Sequence, residues 1–419
     1  MSRPPEQPLY VALAWVEAHC VIPDGFERGR AFTLTGEQGT FLANHYDVRP
    51  DAEVGQLAPA FVFRRSQLVR SQKWGKSPLA AAMICLEAVG PALFAGWAVG
   101  GEVWDCRDQG CGCGWLYEYE PGEAMGRSWP TPLIQVTATS EEQTDNIYDA
   151  LRPMIEYGPL AEVIPKTGEE FIRLPGGGRI DVVTSSAKSR LGQRVTFVPQ
   201  DETGIWLPSS GMVKVAEIQR RGLAGMGGRA VEFTNAWDPS EDSVAQRTAE
   251  SRAEDVHRDH ASAPLSLSYT DKRERRKIHR LVYGDSVKTK AGGWVDLDAI
   301  EAEAAELLEK DPAQAERFFG NRIVAGSDAW WTQPQIAAWE ALTATGEVPE
   351  RAKITVGFDG SQYDDWTVIR CRWVNAPDGK PYGFTPRFLD GKPMVWAPAE
   401  HGGEVPRGEV NAAIEMLFE

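Results

Sequence analysis

Apolar positions along the chain fall into short β-like runs separated by longer helical ones. FVFRRSQLV (61–69) is a β-prone run that leads through a short polar turn into PLAAAMICLEAVGPALFAGWAVGG, whose length and composition predict a buried helix. LIQVTATS (133–140) predicts another strand, followed by the helical EEQTDNIYDALRPMI with Ser140 as its N-cap. FIRLPGGGRIDVVTSS predicts a strand–turn–strand with Gly176, Gly177 and Gly178 in the bend; RVTFVPQDE and AVEFTNAW (230–237) predict two more strands. Strands alternating with helices imply an α/β fold, a mainly parallel sheet flanked by helices. From about 240 to 345 the pattern turns helical and charged, notably in DLDAIEAEAAELLEKDPAQAERFFGNRI. A fresh β pattern begins at KITVGFDGS (353–361), which places a domain boundary near 350. No internal repeat or low-complexity tract is visible.

At 419 residues the chain is too long for one ordinary core and predicts roughly two to three domains. No apolar stretch reaches the ~18–20 residues of a membrane span, and MSRPPEQPLY lacks the layout of a secretory signal, so a soluble cytoplasmic protein is expected. The net charge of −16 argues against a uniformly basic nucleic-acid surface but not against a local basic track. DKRERRKIHR (271–280) is such a track, readable either as a DNA contact or as a solvated helix face. Three of the six cysteines cluster as Cys106, Cys111 and Cys113. A structural zinc site wants four ligands, and no fourth Cys or His lies nearby in sequence. The segment therefore reads first as a Gly-rich surface loop with free thiols, with zinc as the alternative.

The first strand is followed by Arg70-Ser71-Gln72-Lys73-Trp74-Gly75-Lys76-Ser77, which fits the phosphate-loop pattern GxxxxGK[ST] except that Arg70 replaces its first Gly. In such a loop Gly75 lets backbone N–H groups approach phosphates, Lys76 meets the β and γ phosphates of ATP, and Ser77 ligands Mg²⁺ at the helix N-terminus. The partner of this motif is an acidic pair at the end of a later strand. Val195-Thr196-Phe197-Val198-Pro199-Gln200-Asp201-Glu202 supplies it, although Pro199 and Gln200 interrupt the apolar run. Asp201 would hold Mg²⁺ through water, and Glu202 would orient and deprotonate the attacking water. Phe233-Thr234-Asn235-Ala236 ends a further strand with polar groups placed to sense the γ-phosphate.

In this order the motifs resemble the large terminase subunits of tailed bacteriophages, from about residue 32 onward. FTLTGEQ (32–38) resembles the family's adenine-contacting segment, with Gln38 as the contact. SAKSRLG (186–192) precedes the acidic pair, Thr234-Asn235 resembles the coupling motif, and AERFFGNR (315–322) follows with Trp330 and Trp331 beyond. Where relatives often carry an Arg three residues before the loop's Gly, this chain has Gln72. A cis arginine finger would then be Arg70, with Lys73 as a weaker substitute, and Arg190 is the other candidate, in cis or in trans. The resemblance implies an N-terminal segment (1–45), a phosphate-loop ATPase domain (46–265), a helical linking region (266–350) and the start of an RNase H-like nuclease domain (351–419). In that last part Asp359 would be the first carboxylate for Mg²⁺ or Mn²⁺, with Asp364 and Asp365 on a solvent-facing hairpin. The chain stops where the strand bearing the next essential acid is expected, so cleavage by these residues alone is not expected. The implied partners are double-stranded DNA, the portal protein, the small terminase subunit and further copies in a ring, with no membrane. A helicase-like translocase and a catalytically silent assembly subunit are the rival readings.

Overall fold

The computed structural model describes residues 6–137, 141–168, 171–183, 193–290, 292–326, 348–360, 366–374, 382–401 and 403–418. Ser140, the 186–192 motif with Arg190, Trp330, Trp331, Asp364 and Asp365 lie outside them. The chain divides into two compact units, Met1–Ala329 and Trp330–Glu419.

The first unit opens with helices α1 (Tyr10–His19) and α2 (Gly36–His45), strand β1 (Arg65–Val69) and helix α3 (Lys76–Val89). Four short strands follow: β2 (Leu93–Trp97), β3 (Val103–Asp105), β4 (Leu116–Glu118) and β5 (Ala124–Arg127). Next come β6 (Leu133–Thr137), α4 (Glu141–Glu156), the short α5 (Leu160–Val163), β7 (Phe171–Arg173), β8 (Arg179–Val183) and β9 (Phe197–Asp201). Then follow α6 (Met212–Met226), β10 (Arg229–Thr234), α7 (Val244–Glu250), β11 (Val256–His260), α8 (Lys272–Tyr283), α9 (Leu297–Lys310) and α10 (Pro312–Phe318). Seven strands build one sheet in the order β11-β1-β10-β9-β6-β8-β7, with every neighbouring pair parallel except β7 and β8. Its main core joins Leu68, Phe197 and Phe233 of the sheet to Leu79, Met83 and Leu86 of α3, Ile147 and Leu151 of α4, and Trp15 of α1.

The apolar run 78–101 is not one helix. Gly90 and Pro91 end α3, and the second half is β2, paired antiparallel with β5. Periodicity alone does not separate a buried helix from a buried strand, and the Gly-Pro step decides it. The two interruptions of β9 also have defined places in the sheet. Pro199 lies between the two β6–β9 partners, Ile134↔Phe197 and Thr137↔Gln200, and stands opposite Val231 of β10. Gln200 donates to Gln219 Oε1 of α6 at 3.0 Å, and Gln219 donates in turn to Thr137 Oγ1 at 2.7 Å. Edge strand β11, with its polar sequence VHRDH, was not anticipated from the pattern.

Of the region read as a linker (266–350), the described residues up to 326 belong to the first unit. They bury their own apolar cluster of Tyr269, Ile278, Val282, Tyr283, Ile300 and Ala304. One face of α8 is buried through Arg275, which pairs with Glu301 at 2.7 Å, while Lys272, Arg273, Arg276, Lys277 and Arg280 are exposed. The cysteine-rich segment is the β3–β4 hairpin, and the sequence-based expectation of no fourth ligand is corrected by topology. His19, 87 residues before Cys106, ends α1 against this hairpin with Nε2 3.1 Å from Cys106 Sγ.

The second unit pairs β12 (Ile354–Asp359) with β13 (Thr367–Trp373), and β13 with β14 (Tyr382–Phe384) and β15 (Val395–Trp396), all antiparallel. Helix α11 (Arg407–Met416) packs Val410 and Ala413 with Ile369, Met394 and Trp396. Among the described residues, no helix is long and apolar enough to cross a membrane.

Burial makes the first unit sensitive to acid. It lowers both His257 and His279 to about 4, and it holds His45 well below the ordinary range. These groups charge more readily in the unfolded chain, so the stability they contribute is complete above the unfolded value near pH ~6.5 and is lost as pH falls toward ~4. The loss for His257 and His279 approaches about 3 kcal/mol each. Thermal melts are expected to show a falling transition temperature below about pH 6 and little change above pH ~7. A flat profile down to pH ~4.5 would contradict this assignment.

Candidate nucleotide site

Because β10 lies between β1 and β9 in register (Val69↔Thr234, Phe233↔Asp201), the residues following these three parallel strands emerge along one edge of the sheet. That edge brings together the 70–77 loop, Asn235 and Glu202, the place where open parallel sheets bind ligands. Lys76, the first residue of α3, is buried, and its Nζ donates to Arg70 O (3.0 Å), Ser71 O (3.2 Å) and Asn235 Oδ1 (2.6 Å). Asn235 Nδ2 donates onward to Glu202 Oε2 at 3.2 Å. One amide thus links the lysine of the loop to the glutamate of the acidic pair. Burial lowers the Lys76 pKa, with the carboxylates of Glu202 and Asp201 pulling the other way.

Glu202 has a left-handed backbone, φ 54° and ψ 43°, which is strained for a residue with a Cβ. Its N–H donates to Phe233 O (2.7 Å) and Asp201 Oδ1 (3.1 Å), contacts that hold the turn in place. Asp201 ends β9. Loss of hydration and then the neighbouring Glu202 raise its pKa to about 8, against the attraction of Lys76. A buried Asp201 beside a half-buried Glu202, facing one lysine, is short of positive charge. Asp201 and Ser77, at the start of α3, offer the hard oxygen donors that suit Mg²⁺.

Thr234 belongs to the same edge: its O accepts from Arg70 N at 3.0 Å, and its hydroxyl accepts from Gly204 N at 2.8 Å. Gly75 has φ 101°, and a Cβ there would lie 2.8 Å from Trp294 Cζ2, so glycine is required for both conformation and space. Trp294 Nε1 donates to Lys73 O at 3.2 Å, and Lys73 itself has φ 67°. Trp74 is buried and donates to Glu37 Oε2 at 3.2 Å, which sets α2 beside the loop. Gln38 is also buried, but its Oε1 accepts from Thr35 N while Thr35 Oγ1 accepts from Gln38 N, a capping box at the start of α2. Only its amino group is left to meet a base.

Arg70 does not have the freedom that a finger needs. Its Nη2 donates to Asp259 Oδ2 at 2.9 Å, its Nη1 donates to the carbonyls of Val69 and Asp259, and it is only 3% exposed. The partner Asp259 lies on β11, the strand that the sequence pattern did not predict. Lys73 is exposed.

Sequence reading missed a collar around the loop. Gln72 N donates to Phe318 O (2.9 Å), Ser71 Oγ to Phe319 O (3.1 Å), Tyr283 OH to Gln72 O (2.8 Å), and Asn321 Nδ2 to Val69 O (3.0 Å). Thus AERFFGNR, singled out only by its order, clasps the 70–77 loop. In the second unit Asp359 ends β12 opposite Val368 and is exposed. It belongs to no group of three or more metal-ligating side chains among the described residues.

No protein-family model matches the chain. The crystal structure of the HK97 bacteriophage large terminase matches 90% of this chain and 67% of that one, at 18% identity and a TM-score of 0.52. The chain has the fold of a phage large terminase. In sequence it is 27% identical over 429 residues to the Gene 13 protein of Mycobacterium phage D29, and 27% identical over 392 residues to that of Mycobacterium phage L5. The matches cover 94% and 85% of this chain, which spans 64% and 60% of those relatives' lengths.

Proposed function

We propose that this chain is the ATP-driven DNA-packaging motor of a tailed phage, its large terminase subunit, moving double-stranded DNA through a portal into a procapsid. The observation that carries the proposal is the Lys76–Asn235–Glu202 hydrogen-bonded chain at the open edge of a parallel sheet. In this reading Lys76 exchanges the carbonyls of Arg70 and Ser71 for phosphate oxygens of ATP, backbone N–H groups of 73–77 line the triphosphate, and Glu202 takes a proton from the attacking water. Ser77 and Asp201 hold Mg²⁺, which when bound would neutralise charge on the phosphates. Asn235 contacts both functional groups, so loss of the γ-phosphate changes its partners, and Thr234 passes the change to β1. The amino group of Gln38 faces the adenine. Asp359 would serve an RNase H-like nuclease centre using Mg²⁺ or Mn²⁺, and the small terminase subunit would help deliver DNA.

The exposed basic face of α8 is the proposed DNA contact in this unit, favoured by the Tyr283–Gln72 hydrogen bond that ties the end of that helix to the phosphate loop. A helicase-like translocase shares the ATP chemistry, but the fold match to a large terminase favours packaging.

With Arg70 committed to Asp259, the charge that stabilises the transition state comes from elsewhere, from Arg190 or from a neighbouring subunit in a ring on the portal. An arginine finger contributes about 10³–10⁵ in rate. If it acts in trans, ATPase activity per subunit will climb with protein concentration, or on adding portal and DNA, and where a neighbour's Arg190 is the finger an Arg190→Ala variant will abolish the climb. A rate that stays flat and fast in dilute monomer would rule out the trans arrangement. Absence of turnover under every condition, with portal and DNA present, would favour the silent-subunit reading.

A further inference from the structure

The β3–β4 hairpin and the end of α1 form a second chemical centre, independent of the nucleotide site. Cys106, Cys111 and Cys113 lie on the connection between the two strands, and His19 is the last residue of α1. The imidazole nitrogen and the three sulfur atoms all lie within 4.8 Å of one another. His19 Nε2 is 3.1 Å from Cys106 Sγ and 3.3 Å from Cys113 Sγ. With Zn–S near 2.3 Å, a tetrahedral site separates its sulfur ligands by roughly 3.8 Å, a spacing that this cluster meets with small adjustments.

We propose that His19, Cys106, Cys111 and Cys113 bind a structural zinc ion. Three features favour a metal over a chance meeting of thiols. First, His19 Nδ1 is hydrogen-bonded to Trp15 O at 3.0 Å, which leaves Nε2 as the ring nitrogen facing the sulfurs. Its ring is further fixed by stacking on Trp15 at 4.5 Å and by an edge contact with Trp115 at 5.3 Å. Second, His19, Cys106 and Cys111 are buried, and the backbone supports the sulfur-bearing turn, with Cys111 N donating to Cys106 O at 3.0 Å and Trp115 N reaching Cys113 Sγ at 3.5 Å. Third, three sulfurs and one nitrogen form a soft donor set that suits zinc and leaves no open position for a substrate. Glu162 accepts from Gly112 N at 3.1 Å and so supports the hairpin rather than joining the ligand set.

The consequence is mechanical. Among the described residues the hairpin strands β3 and β4 pair only with each other, and a two-stranded hairpin is marginally stable by itself. Zinc would fasten this hairpin to α1. Trp15 of α1 packs in the core with α3, the helix that begins at Lys76, so the ion would hold the N-terminal segment onto the back of the nucleotide-binding helix. This centre lies outside the ATP chemistry, and its test does not depend on turnover.

The full chain, expressed with zinc supplied and purified without chelators, should contain one zinc per chain by elemental analysis. Replacement by Co²⁺ should give the visible bands of a tetrahedral site together with sulfur-to-cobalt charge transfer. Cys113→Ser, at the exposed ligand, should lose most of the zinc while remaining folded by circular dichroism. His19→Ala should likewise lose most of the zinc. Stripping zinc should lower the melting temperature of the wild type and leave that of Cys113→Ser unchanged. Substoichiometric zinc that is indifferent to Cys113→Ser would overturn the proposal. So would a mass matching the loss of two hydrogens, which would mark a disulfide between two of these cysteines.

Discussion

Replacing Glu202 with glutamine is expected to leave Mg·ATP binding intact while hydrolysis falls by about 10²–10⁴-fold, the usual contribution of a general base. The substitution keeps the shape of the side chain and an oxygen that can accept from Asn235 Nδ2, as Glu202 Oε2 does at 3.2 Å. It removes the negative charge that acts on Lys76 and Asp201, and with it the capacity to accept a proton. Glu202 holds its place through a strained backbone whose N–H is bound to Phe233 O and Asp201 Oδ1, so the side chain change does not release the turn. Lys76, the proposed phosphate contact, is untouched. Phosphate release and nucleotide affinity measured on the same preparation separate the two functions. Undiminished hydrolysis in Glu202→Gln would remove this residue from its role.

Replacing Lys76 has the opposite signature, loss of triphosphate binding together with turnover. An ammonium positioned at developing phosphate charge is expected to contribute at least about 10²–10³ in rate, as single preorganised donors do. Lys76→Met is the cleaner variant, because it keeps much of the buried stem and deletes the charge. Here the change also strands three acceptors, Arg70 O, Ser71 O and Asn235 Oδ1, which now share one amine. Asn235 should then turn toward Glu202 alone. Unaltered ATP affinity in both Lys76→Ala and Lys76→Met would mean that the triphosphate sits elsewhere.

How much of this was legible in the sequence depended on whether the signal was local. GKS between a strand and an apolar run, and an acid pair at a later strand end, are local patterns, and both landed on the same sheet edge. Gln38 was singled out as a base contact, yet Thr35-x-x-Gln38 is also a capping box, a second role that the spacing itself shows. Arg70 reads as a cis finger because Gln72 stands where relatives often carry an Arg, and its partner, Asp259, sits on a strand too polar to be read as one. Trp294 and the 318–321 collar gave no local sign of reaching the loop, since contacts such as Asn321 to Val69 span 252 positions. The Cys106, Cys111 and Cys113 cluster was visible, but its histidine lies on another helix. Long-range partners are set by packing, and one sequence records the packing of each element only as a face.

Calorimetric titration of the chain with ATPγS and Mg²⁺ asks whether the 70–77 loop receives a nucleoside triphosphate against Glu202. Trp74 within the loop and Trp294 against Gly75 provide a fluorescence signal from the same site. Saturable binding at one site per chain is expected, with a change in tryptophan emission. That binding should be retained in Glu202→Gln and lost in Lys76→Met. Failure of the folded wild-type chain to bind ATPγS, or equal binding by Lys76→Met, would contradict nucleotide binding at this loop.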